Sequence, residues 1–124
     1  MGNATHFEGR EEQSANYEVS SRRWLAQGSD VYVKEFTLVE NEGVPCHHHT
    51  NVFDIFCVVE GHLSIECTIA STGEKLPTLE LDVGDSSKVE VGTAHRPFNH
   101  GPGRCRFIII QGVGAYDFLP YASN

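Results

Sequence analysis

Downstream of residue 30 the chain is a succession of short extended segments separated by turn signals, and no stretch there carries a convincing amphipathic helical period. Residues 31–39 (VYVKEFTLV) are rich in β-branched and aromatic side chains, which suit a pleated, half-buried surface. Glu40-Asn41-Glu42-Gly43 turns the chain. Residues 54–59 form the next strand, and Glu60-Gly61 is a tight turn into residues 63–70, expected as the hairpin partner. Residues 75–81 return with Leu76, Leu79 and Leu81 out of phase around Pro77, which favours an edge or a bulge. Asp82-Val83-Gly84-Asp85 turns again before residues 87–91, residues 95–99 are extended, and residues 105–111 are the most apolar run. Strands this short and turns this frequent predict an all-β sandwich or small barrel. Residues 1–29 are expected to be an N-terminal arm, with Trp24 and Leu25 as a turn docked on the body. The barrel then spans 30–124, its tail 112–121 strapped across one end.

A chain of 124 residues buries one core and does not divide into two. Its formal charge of -8 argues against nucleic acid and anionic membrane as partners, since both are polyanions. Cys46, Cys57, Cys67 and Cys105 form no CxxC pair and read as reduced thiols, a Cys57–Cys67 bridge across the expected hairpin being the minor alternative. No apolar stretch approaches membrane-spanning length. Arg22-Arg23 lacks the apolar run of a twin-arginine signal, so a cytoplasmic location is expected.

The chemistry concentrates in Cys46-His47-His48-His49-Thr50-Asn51-Val52-Phe53-Asp54. In an extended chain successive side chains alternate faces, so His47 and His49 share one face while His48 and Cys46 take the other. Neutral imidazole is the commonest metal ligand, and two on one face supply half a coordination shell. Asp54 opens the following strand and can bring a carboxylate to the same place, and His95 arrives from far along the chain. Asn99, four residues after His95, shares its face if the segment stays extended, and serves either to orient a ligand or to close the turn before Gly101. Arg106 interrupts an apolar strand and is a candidate anion-binding residue, against the plainer reading of an exposed arginine at a strand start. There is no serine–histidine–aspartate order, phosphate-cradling loop or dinucleotide fingerprint, so catalysis would run through the metal.

Together these stretches resemble the two motifs of the cupin superfamily. For the first, Gly43 precedes His47-His48-His49, four residues follow, then Asp54, six more residues and Gly61. Asp54 stands where the family has glutamate. For the second, Gly84 is followed by five residues, Glu90-Val91-Gly92, Thr93-Ala94, His95, three residues and Asn99, with Glu90 in place of the family's proline. The resemblance implies a double-stranded β-helix, or jelly-roll barrel, holding one divalent transition metal (iron, zinc, manganese or nickel) on His47, His49, Asp54 and His95. The aspartate arm is one methylene shorter than the family's, which leaves open direct ligation or an outer-shell role through water. The implied function is a metal-dependent enzyme acting on a small molecule, first of all of the dioxygenase type. An isomerase, lyase or polyketide cyclase is the alternative, and a non-catalytic binding module the next. A homodimer is expected, because sheet edges and the 118–121 strap need covering.

Overall fold

The computed structural model describes residues 10–11, 17 and 19–122. The remainder of the expected N-terminal arm lies outside the described residues. The described residues form eleven strands: β1 (Arg10–Glu11), β2 (Ser21–Gln27), β3 (Val31–Leu38), β4 (His47–His48), β5 (Phe53–Glu60), β6 (His62–Ile69), β7 (Leu79–Asp82), β8 (Ser86–Val89), β9 (Thr93–Phe98), β10 (Cys105–Gly112) and β11 (Leu119–Pro120). They make two sheets, ordered β1-β2-β3-β10-β5-β8 and β11-β4-β9-β6-β7, with every pairing antiparallel. The expected all-β jelly roll is what the chain adopts. No helix among the described residues is long and apolar enough to cross a membrane.

The core lies between the sheets and is laid down by strand alternation. Phe36 and Leu38 of β3, Phe56 and Val58 of β5, and Cys105, Phe107 and Ile109 of β10 point inward from adjacent strands. Leu63, Ile65 and Cys67 of β6 face them from the other sheet. Phe107 anchors the middle, its ring 5.5 Å from that of Phe36 and 5.9 Å from that of Phe56. The same inward parity carries one polar residue in each of three neighbouring strands: Lys34 in β3, Asp54 in β5 and Gln111 in β10. Antiparallel pairing gathers these ends at one mouth of the sandwich, where Gln111 lies directly opposite Asp54.

Three sequence expectations are corrected here. β5 and β6 are not hairpin partners: β5 pairs with β10 and β8, and β6 with β9 and β7. The Glu60-Gly61 turn is a corner that carries the chain from one sheet to the other, so both strands can bury a face in the shared core. Gly61 sits at φ 78°, and a Cβ there would overlap the Arg104 carbonyl, so a glycine is needed. The corner also rules out a Cys57–Cys67 bridge across a hairpin, and all four cysteines are free. Trp24 and Leu25 lie in a strand rather than a turn, because β2 pairs along β3 and extends the first sheet. The return expected over 75–81 narrows to β7, with Lys75 making only an isolated bridge to Thr68. Pro77 falls outside the ladder, where its missing N–H costs nothing.

Candidate metal centre

β4 and β9 place the histidines. His47 lies opposite His95 in the ladder, and β11 closes over β4 on its other side, with Pro120 opposite His47 and Leu119 opposite His48. His47, His49 and His95 are 5%, 2% and 1% exposed and Asp54 is 1% exposed, so the group is withdrawn from bulk water. One donor atom from each of the four lies within 4.8 Å of every other. Two ligands bound to one ion at about 2.1 Å can be no more than about 4.2 Å apart, so a small inward adjustment suffices for coordination.

The outer partners are consistent with that use. Each imidazole gives its Nδ1 to a backbone carbonyl: His47 to Pro45 at 2.8 Å, His95 to Thr93 at 2.8 Å, and His49 to Asp117. A ring that donates from Nδ1 presents the Nε2 lone pair on its far side, which fixes the tautomer and ring orientation a metal requires. The Nε2 atoms of His49 and His95 lie 3.2 and 2.8 Å from one oxygen of Asp54, while its other oxygen accepts from Gln111 Nε2 at 2.9 Å. The short aspartate arm therefore reaches the imidazoles as it stands. Three nitrogens and one carboxylate oxygen suit a divalent transition ion.

Electrostatics divide the group. Burial, reinforced by the neighbouring His95, pulls His47 down to about 3, so it stays neutral at any ordinary pH. Burial acts on His49 in the same direction, but the Asp54 hydrogen bond and charge outweigh it and raise its pKa. Burial would raise Asp54, yet the imidazoles of His49 and His95 against one of its oxygens overcome it and hold the carboxyl well below its usual range, His49 donating there when its ring is charged. Metal uptake thus competes with a proton held more tightly than usual on His49. The affinity for Co(II) should fall by about tenfold per pH unit below the raised His49 value, beginning above pH 6.5, and be accompanied by proton release. Competition titrations between about pH 5.5 and 8 check this; a flat affinity would mean that no imidazole yields a proton. In the metal-free chain His47 acts with the opposite sign. Its depressed value means the unfolded chain is protonated first, so its share of stability is lost as pH falls below 6.5.

The C-terminal strap builds the rest of the mouth. Phe118 stacks on His47 with ring centres 4.3 Å apart, and Tyr116 lies 5.4 Å from His49. Asp117 ties the strap down by accepting from the Thr50 amide at 3.0 Å and from its hydroxyl. Beneath it is a cavity with room for roughly one water, about 10 Å³, lined by Lys34, His47, Asp54, Gln111 and Tyr116 among others. Lys34, only 5% exposed, lies over the rings of Trp24 and Tyr116 at 4.6 and 4.8 Å.

Of the residues singled out in the sequence, the structure brings together His47, His49, Asp54 and His95, and leaves out Asn99 and Arg106. Asn99 closes its turn instead: Nδ2 donates to the Leu38 and Gly103 carbonyls at 3.0 and 2.8 Å, and Oδ1 accepts from Gly101 at 2.8 Å. Arg106 faces outward from β10 and pairs with Glu35 and Glu60 at 2.9 and 3.3 Å. His48 lies on the opposite face from its neighbours, as alternation requires, its ring 6.2 Å from that of Tyr121. Gln111 and Lys34 are additions to the residues read from the sequence, whereas the tail expected to strap one end of the body does cover the mouth.

A two-sheet jelly roll with three imidazoles and a carboxylate converging at its mouth defines a double-stranded β-helix protein with a candidate metal centre. The chain belongs to the cupin family: the cupin-domain profile matches residues 34–111, more than half its length. Among solved structures it resembles an uncharacterised conserved protein with a double-stranded β-helix domain from Klebsiella pneumoniae (20% identity, TM-score 0.71, covering 89% of this chain and 90% of that one). It also resembles KdgF from Halomonas sp. (21% identity, TM-score 0.63, covering 77% and 79%). A further likeness is to a recombinant oxalate oxidase in complex with glycolate (16% identity, TM-score 0.64, covering 73% of this chain and 45% of that one). At these identities the likeness shows the fold. No curated protein matches the chain.

Proposed function

We propose that the chain is a metal-dependent enzyme of the oxygenase or oxidase type, acting on a small organic molecule. The observation that carries this reading is the buried convergence of His47, His49, Asp54 and His95 beside a small enclosed cavity. The three Nε2 atoms and the Asp54 carboxylate would hold one divalent transition metal. A structural site is closed by its ligands, whereas four protein donors leave positions free on an ion that takes five or six. When bound, such an ion supplies a Lewis acid, and if redox-active an electron source for dioxygen.

The chain's own residues do the rest. The Nδ1 hydrogen bonds hold the rings in place, Phe36, Phe56, Pro97, Ile109 and Tyr116 form the apolar part of a cavity whose other wall is Lys34, His47, Asp54 and Gln111, and Phe118 covers His47. A small enclosure suits small reactants and limits the water beside them.

The test is elemental analysis of protein purified without added metal or chelator, followed by oxygen-electrode assays with short organic acids. Iron or manganese at one ion per chain, with oxygen uptake, is the expected result. Zinc with no oxygen uptake would replace this reading with a Lewis-acid isomerase, lyase or cyclase. No bound metal at all would leave a binding module.

A further inference from the structure

Among the described residues of the mouth, Gln111 has a side chain whose hydrogen-bonding capacity is only half used. Its side chain is 4% exposed and lines the cavity beside Asp54 and His47. Its Nε2 donates to Asp54 Oδ1 at 2.9 Å. A carboxylate oxygen only accepts, so the amide nitrogen must face Asp54 and the amide oxygen must turn away from it. That oxygen, Oε1, is buried and no donor among the described residues reaches it. A buried acceptor left unmatched is costly, and whatever occupies the cavity recovers that cost if it presents a donor there. Neither the imidazoles nor Asp54 supplies that donor, since each ring gives its Nδ1 proton to a backbone carbonyl and a carboxylate has none to give.

The charge around the cavity narrows the class of molecule. Lys34 contributes a buried ammonium to the same lining, and a divalent ion on Asp54 and the imidazoles would leave the enclosure net positive. An occupant that matched this charge would be an anion, and the size of the space favours a short one. Resting on the metal-centre reading, we propose that Gln111 is a substrate-positioning residue. Its Oε1 accepts a hydrogen bond from a hydroxyl of the bound molecule, so the centre favours short hydroxy acids over their deoxy counterparts. Asp54 sets the amide's orientation, which links the grip on the substrate to the carboxylate that joins the metal. A ligand larger than one water also requires the strap carrying Tyr116 and Phe118 to give way, and the two-residue pairing of β11 with β4 is a small attachment to disturb.

Glycolate and acetate form the smallest pair of acids that differ only in this hydroxyl. Co(II)-loaded protein is titrated with each, following visible absorption and calorimetric heat, in the wild type and in Gln111→Met, which keeps the side chain's length and removes the acceptor. The wild type should bind glycolate more tightly. Because the hydroxyl can also favour glycolate by contacting the metal, the decisive quantity is the change in preference. The glycolate-to-acetate ratio should drop about tenfold in Gln111→Met, equivalent to about 1.4 kcal/mol. Gln111→Asn, which withdraws the amide by one methylene, should lose the same preference, and it serves if the methionine variant fails to fold. An unchanged ratio in a variant that holds stoichiometric cobalt would overturn the role of Gln111 and leave the metal reading intact. A wild type that takes up no cobalt would sink the metal reading, and the ratio is then measured by calorimetry on the metal-free chain. There a retained, Gln111-dependent preference upholds the hydroxyl contact, and its absence overturns it.

Discussion

Replacing His47 and His49 together with alanine should leave the purified protein without stoichiometric metal. Both side chains belong to the buried four-donor group, and each is oriented by its own backbone carbonyl. Losing an outer-shell partner weakens metal binding by about 10–100-fold, and deleting two direct donors should exceed that. The barrel itself should persist, because its core of Phe36, Phe56, Leu63, Ile65 and Phe107 does not include these rings. Far-UV circular dichroism should keep its β signature while elemental analysis finds well under one ion per chain. His48→Ala is the internal control. It lies between the two ligands in sequence but on the other face, and its replacement should leave metal content unchanged. A double variant that still copurifies with one ion per chain would place the metal elsewhere.

Asp54→Ala is expected to be the second largest loss. The substitution removes the acceptor for His49, His95 and Gln111 at once, in a place only 1% exposed. The Gln111 amide then loses its partner at a cost of about 1–3 kcal/mol, so the metal-free protein should also melt at a lower temperature. In the cobalt-substituted protein the visible absorption should change, because coordination number and ligand type both change. Unaltered absorption would remove Asp54 from direct contact with the metal. Asp54→Glu separates reach from charge. By family resemblance the longer arm restores the usual ligand, yet the aspartate already comes within 2.8 and 3.2 Å of two imidazoles, beside a cavity of about 10 Å³. An added methylene must be accommodated there, and overpacking costs about 1–3 kcal/mol. The glutamate variant should keep the metal but bind it less tightly. Tighter binding would mean that the native arm is too short for the ion.

Alternation made much of this site legible from residue order. It put His47 and His49 on one face and His48 on the other, and the spacing of the second motif brought in His95. The same rule applied further would have found Gln111 and Lys34. Both are polar residues on the apolar parity of their strands, in step with Phe107 and Ile109 or with Phe36 and Leu38. It would also have turned Arg106 outward. Ile108 and Ile110 make the outer face of β10 apolar too, and that hid which parity was the core. Asn99 carried two readings, and the turn-closing one holds. It keeps the buried parity of His95 and Pro97, but β9 ends at Phe98 and the Asn99 amide is spent on the turn that follows. The β5–β6 corner lies beyond local reading altogether, because a Glu-Gly turn serves a hairpin or a change of sheet equally well. What decides it is the long-range pairing of both strands, with Arg104 packed against Gly61.

His49 is oriented by the carbonyl of Asp117, 68 positions further along the chain. During synthesis the triple-histidine segment leaves the ribosome long before the residue that aims its ring. Until then His49 is free to turn, His47 lacks the aromatic cover of Phe118, and β4 lacks its β11 neighbour. The four-donor group is therefore assembled late, and any ion it would hold meets the complete, oriented set of donors only after the strap has been made.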